Sequence, residues 1–224
     1  MGRPVVTTLT LAAAVSNGIA QAQSLAGAGN LTLNGSLVSG GVATLDSGGA
    51  ARRVIVASVG NDSGITFTVT GTVRDPGNPT GSGIAGSEVL TGTNAGTAES
   101  MRDFLTVSKI AASGATAANV TAGTNGTGSG PWVPWDNFVP PFQVAVAAKV
   151  LSGAPTYQLD VTYDDVYSVV VPDAVAWADM TGKTAAAQTS LSESKGAVPV
   201  RSSRLTLTAV GGVQLTQNQQ QGIV

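Results

Sequence analysis

Apolar residues in this chain recur at every second position. Ile65, Phe67 and Val69 alternate with Thr66, Thr68 and Thr70, a period of two that gives an extended backbone one apolar and one hydroxylated face. The same spacing returns in Tyr157, Leu159, Val161 and Tyr163, and further extended runs are read at Phe104 to Ile110 and Phe142 to Leu151. Turn formers separate these runs. Asn61-Asp62-Ser63-Gly64, lying between Val54-Ile55-Val56 and the Ile65 run, reads as a hairpin connection. Leu205 to Thr208 and Val213 to Thr216, parted by Gly211-Gly212, read as a second hairpin. Asp75-Pro76-Gly77-Asn78-Pro79 is a turn or loop, because two prolines and a glycine interrupt any ladder. Only 11–16 and 184–195 are rich in alanine and free of helix breakers, and neither carries an apolar stripe.

The expected class is therefore all-β, with antiparallel β-sandwich domains of the Ig-like or jelly-roll-like kind. Three segments are expected: an extended N-terminal arm over 1–35, a first sandwich-like half over 36–125, and a second β-rich half over 126–224. The Gly/Ser/Thr-rich stretch 113–130 marks the join, either as a flexible linker or as a strand with a long loop; one larger sandwich is the alternative. With aromatics at 4%, the core must rest on Val, Ile, Leu and Ala.

Composition excludes several chemistries. The 224 residues include no Cys and no His, so disulfides, thiolate nucleophiles, Cys/His zinc sites and a Ser-His-Asp triad are absent. Eleven basic and 13 acidic residues give a net charge of −2, without the basic face that nucleic acid requires. Charged residues make up only 11%, whereas Thr numbers 26 and Gly 29. The surface must therefore be largely hydroxyl, amide and glycine, which packs against neighbours without desolvating ions. Arg3, the apolar Val5 to Val15 and Ala20-Gln21-Ala22 have the outline of an export signal, but Pro4 and three threonines interrupt it. The segment reads instead as an extended arm, and no run is long enough to span a membrane as a helix.

Few residues invite chemistry. Asp160, Asp164 and Asp165 form the one carboxylate cluster. Without a glycine-centred calcium loop or a nearby Glu, they read as a solvated strand end rather than a Ca²⁺ site or an acid/base pair. Trp132, Trp135, Phe138 and Phe142 lie among Pro131, Pro134, Pro140 and Pro141. They read as aromatics plugged into a core or a neighbouring subunit, with a sugar platform as the alternative. Arg52-Arg53 reads as an ion pair or inter-subunit contact. No glycine loop precedes Lys-Ser/Thr and a helix, so no phosphate cradle, cofactor or metal is expected. The candidate interaction residues are Val5, Leu9, Leu11, Leu31, Leu33, Trp132, Trp135 and Phe138.

Asn61 to Thr72, Thr91 to Thr97, Phe104 to Ser108, Tyr157 to Asp165, the loop bearing Trp177, and Arg204 to Thr208 follow one another in an order that resembles a recurring type of tailed-bacteriophage virion protein. The resemblance covers most of the chain and brings no catalytic motif; the stretch Gly77 to Gly86 is longer than the turn of that type. It implies a non-enzymatic structural component of a particle. The favoured expectation is a capsid decoration (cement) protein on the outside of the head. It would be made in the host cytoplasm, would bind the major capsid protein as a homo-oligomer, and would have no nucleic-acid or membrane partner. A tail or neck adaptor is the first alternative, and an exported adhesive or carbohydrate-binding module is the second. On this reading the 1–35 arm lies along a neighbour and adds a strand to its sheet edge. Removing the arm is then expected to leave the β domains folded while weakening attachment.

Overall fold

A computed structural model of the chain describes residues 4–74, 83–136, 138, 144–163, 177–179, 185–186, 192–196 and 202–219. Among them every regular element is a β-strand. In chain order these are β1 (Val5–Leu11), β2 (Val15–Gln23), β3 (Gly29–Asn30), β4 (Val38–Ser39), β5 (Val42–Thr44) and β6 (Ala51–Ser58). Next come β7 (Thr66–Val73), β8 (Ile84–Thr91), β9 (Thr97–Ala112), β10 (Val120–Ser129), β11 (Val133–Pro134) and β12 (Val144–Gly153). The last six are β13 (Thr156–Thr162), β14 (Trp177–Asp179), β15 (Ala185–Ala186), β16 (Ser192–Gly196), β17 (Ser202–Leu207) and β18 (Gly211–Gln219). The density of Val, Ile and Thr explains the class, since β-branched side chains pack on a pleated surface and lose rotamer freedom in helices.

The strands form two antiparallel sheets. The smaller runs β1-β18-β12-β16; the larger runs β14-β13-β17-β10-β6-β9-β5-β4, with β2 on β10, β3 and β7 on β9, β8 on β7, β11 on β17 and β15 on β13. The larger sheet closes over itself at the 16-residue β9. Its first half pairs with β6, from Thr97 to Phe104, and its second half with β7, from Phe104 to Ala112. Val54 and Val56 of β6 thereby share one core with Phe67 and Val69 of β7, Val107 and Ile110 of β9, and Val120 and Ala122 of β10. A second core lies between the sheets. Leu9, Leu11, Val144, Val146, Val213 and Leu215 from the smaller sheet pack with Trp135, Tyr157, Leu159, Val161, Leu205 and Leu207 from the larger side. The arrangement is an all-β antiparallel sandwich, as expected.

Three local expectations change and one open reading is decided. The first concerns the predicted hairpin at Asn61–Gly64. β6 and β7 do not pair with each other: β6 lies between β9 and β10, and β7 between β8 and β9. The turn residues instead tie loops together. The buried Asp62 carboxylate accepts from Ser58 Oγ at 2.5 Å and from the Ala117 amide at 2.7 Å, and the Asp62 amide donates to Thr93 O at 2.9 Å. The second predicted hairpin also separates, because β17 belongs to the larger sheet and β18 to the smaller. Gly211, with φ of 149°, turns the chain from one layer to the other.

Of the two readings of the 113–130 stretch, a strand with a loop holds and the flexible linker does not. The second half of the stretch is β10, paired with β6 from Val120 to Ser129 and joined to β17 at Gly128 and Ser129. Glycine serves a packing purpose there: a Cβ on Gly123 would lie 2.0 Å from Val15 O, so only glycine allows β2 to approach β10 so closely.

Residues 4–35 are largely extended but are not an arm lying free of the sheets. β1 pairs over seven residues with β18, from Val5↔Gln217 to Leu11↔Gly211, and β2 pairs with β10. Leu9 and Leu11 belong to the second core, while Ile19, Ala20 and Leu31 belong to the first. The leading segment therefore stitches both cores, and its loss would strip buried leucines from each. The alternation Thr8-Leu9-Thr10-Leu11 accounts for this, since one apolar face is enough to dock an edge strand.

Candidate functional site: surface contacts and a buried charge row

The eight candidate interaction residues separate by burial. Leu9 and Leu11 are 1% exposed, Leu31 3%, Trp132 2% and Trp135 9%, and Leu33 is partly buried against the first core. Of the eight, only Val5, at 40%, and Phe138, at 83%, are exposed. Phe138 is held in a turn by its amide, which donates to Asp136 Oδ1 at 3.0 Å; the Asp136 amide donates in turn to Gln219 Oε1 at 3.0 Å. Val5 stands with Val6, Leu9, Pro131 and Pro134 along a groove of about 440 Å³ beside β1. Arg74 borders the groove, and its guanidinium donates to Gly49 O. Phe142 lies outside the described residues, as do Asp164, Asp165, the Asp75–Pro79 turn and the 77–82 part of the long insertion.

Trp132 and Trp135 are structural. The Trp135 indole N–H donates to Ser203 Oγ at 2.9 Å, and Ser203 Oγ donates to Gln217 Oε1 at 3.0 Å. The Arg204 guanidinium lies 4.8 Å from the Trp132 ring centroid, within cation–π range. Neither ring offers a face on which a sugar could stack.

Asp160 is not a solvated strand end. It is 1% exposed and sits directly across from Arg204 in the β13–β17 register. Its carboxylate accepts from Arg204 Nε at 3.1 Å, Thr206 Oγ1 at 2.7 Å and Gln158 Nε2 at 2.7 Å. Arg204 Nη1 also lies 3.9 Å from Asp103 Oδ2. Asp103 accepts from Ser129 Oγ and faces Arg53 Nε at 3.6 Å; Arg53 Nη1 meets Glu99 at 2.9 Å. Asp160, Arg204, Ser129, Arg53 and Asp103 therefore form a polar row across five adjacent strands, β13-β17-β10-β6-β9. Most of the row is buried, and it bridges the strands of one core to those of the other. Pairing and hydrogen bonding make such burial tolerable.

Arg52 completes the accounting of the basic pair. It is 2% exposed and donates through Nη2 to Ala13 O at 3.0 Å and Asn125 O at 2.8 Å. Burial lowers its pKa from the ordinary arginine value. Arg53 forms the ion pair expected of it, whereas Arg52 is a buried clamp on the β1–β2 connection.

Chemically, the row can fix strand register, but its carboxylates are engaged by protein donors and most are buried from solvent. Among the described residues no group of three or more His, Cys, Asp or Glu side chains is placed to hold a metal ion. No helix among them is long and apolar enough to cross a membrane. Sequence reasoning missed Arg204 and Asp103. The available signal was the lone charge Arg204 in the strand-forming run Ser202 to Leu207 and the cluster Glu99, Arg102 and Asp103 ahead of Phe104, in a chain with few charges overall. The architecture and site define an all-β sandwich with a buried ionic seam. No protein-family profile, no curated protein and no solved structure matches the chain.

Proposed function

We propose that this chain is a non-enzymatic structural component of a tailed-bacteriophage particle, and specifically a decoration protein on the outer surface of the head. The order of phrases from Asn61 to Thr208 supports the virion reading. The observation that carries the assembly role is the division of chemistry between inside and outside. Asp103, Asp160, Arg52 and Arg204 are committed within the fold, while Val5, Val6 and Phe138 stand exposed on a surface poor in charge. Such a surface can be covered by a neighbour with little ion desolvation. The mechanism is added buried area across boundaries between major capsid protein subunits, which opposes the outward pressure of packaged DNA. Copies are arranged as a symmetric oligomer, as lattice sites require. The carbohydrate-binding alternative is not carried forward, because Trp132 and Trp135 are buried.

The test is to titrate the purified protein onto shells lacking it. Saturable co-sedimentation at a stoichiometry matching lattice sites, with a higher temperature of shell rupture, is expected; Phe138→Ala should lower occupancy. Shells that neither retain the protein nor gain thermal resistance would refute the reading.

A further inference from the structure

The geometry points to β1 as an exchangeable strand: in an assembly of this chain, β1 leaves its own β18 edge and completes the β18 edge of a second copy. This inference does not depend on where in a particle the chain resides.

Four observations converge. First, among the described residues β1 is an edge strand whose one strand neighbour is β18, while β18 keeps β12 on its other side. Its departure leaves the remaining sheet paired. Second, β1 packs in the core built mostly from the C-terminal part of the chain, while the strand that follows it, β2, packs in the other core. The two are joined only by Ala12-Ala13-Ala14, which is exposed. Arg52 clamps Ala13 O, and the Val15 amide donates to Thr124 Oγ1 at 3.2 Å. The second half of the connection is thereby fixed, and the pivot falls at Ala12, whose exposed amide hydrogen bond to Ser47 Oγ at 3.1 Å must open. Third, the seven β1–β18 pairs run without a bulge, and neither strand carries a charge. The same ladder can be rebuilt between molecules with no ion desolvated.

Fourth, the receiving site is shaped for this strand. A Cβ on Gly128 would lie 2.8 Å from Leu11 Cδ1, and one on Gly130 would lie 3.0 Å from Leu9 Cδ1. Two glycines of one chain segment thus open adjacent recesses for two leucines at i, i+2. The chain's own β1 presents Leu-Thr-Leu in this register, and β1 of a second copy, being identical, fits the same recesses. Contacts in the exchanged and closed forms are the same except at the hinge, so high local concentration decides between them. The whole Ala12-Ala13-Ala14 connection spans about 10 Å at most, which places the receiving copy in direct contact.

The chain's lack of cysteine makes the test clean. Thr8 is exposed, Gln214 is half-buried, and they are register partners, at a spacing a disulfide can bridge. The variants Thr8→Cys and Gln214→Cys are made singly, mixed, unfolded together, refolded over a range of protein concentrations and oxidised. A covalent heterodimer whose yield rises with concentration is expected. It should exceed that of Thr8→Cys mixed with Ser87→Cys, which lies on β8 of the other core. The pair Val6→Cys and Thr216→Cys, also register partners, should behave alike. A heterodimer yield no greater than the control for both pairs, with double variants oxidising only within one chain at every concentration, would overturn the exchange.

Discussion

Replacing Arg204 by Met removes the cation in contact with the Asp160 carboxylate while keeping most of the side-chain volume. Asp160 is 1% exposed and would retain Thr206 Oγ1 and Gln158 Nε2 as donors. Asp103 would keep Ser129 Oγ and the more distant Arg53. Breaking a buried pair by deleting one partner costs about 3–5 kcal/mol, because a charge is left without compensation. Against a total stability of about 5–15 kcal/mol, this should bring the chain close to its unfolding threshold and lower the urea midpoint by about 1–2 M. Glu99→Gln is the internal control. Its ion pair with Arg53 has side chains 29% and 41% exposed, and its loss should cost under about 1 kcal/mol. Adding Asp160→Asn to Arg204→Met should recover part of the deficit. Equilibrium urea unfolding followed by tryptophan fluorescence measures all three. An Arg204→Met variant no less stable than Glu99→Gln would refute the buried seam as a structural clamp.

Three further outcomes follow from the geometry. Leu9→Ala and Leu11→Ala should each cost about 2–5 kcal/mol, whereas Val6→Ser, at a position 52% exposed, should stay within about 0.5 kcal/mol in the same unfolding assay. Gly71→Ala should cost more than about 3 kcal/mol or prevent folding, because the new Cβ would lie 1.9 Å from Thr106 O beside a register shift between β7 and β9; thermal unfolding reads this directly. Burial raises the Tyr157 pKa above its ordinary value near 10. The unfolded chain therefore loses that proton first, so stability should fall as pH rises beyond about 10, and Tyr157→Phe should show a shallower decline over the same range.

The sequence made faces legible and left partners hidden. Phe67 and Val69 point inward and Thr66, Thr68 and Thr70 lie on the other face, as the period of two requires. The same alternation says nothing about which strand lies alongside. β6 pairs with β9 and β10, far along the chain, and the nearby Asn61–Gly64 turn is put to another use by Asp62. Leu9 and Leu11 show what pattern alone leaves open in the N-terminal segment. Thr8-Leu9-Thr10-Leu11 has a docking face, but an absence of charge fits an arm awaiting a neighbour equally well. Asp160 illustrates the limit for the site: its partner Arg204 is 44 residues away, and only the antiparallel register of β13 and β17 sets the two opposite each other. Trp132 and Trp135 could be placed by their prolines in a constrained segment, while the burial that removes them from sugar binding depends on β17, whose position no local pattern encodes.

Copy number tests the decoration reading most directly. In purified particles containing this chain, quantitative mass spectrometry gives its ratio to the major capsid protein. A cement role predicts a ratio of the same order as the capsid lattice, with the chain released by treatments that strip the outer shell surface. A count of about a dozen per particle, as a cyclic neck or tail ring requires, would contradict it.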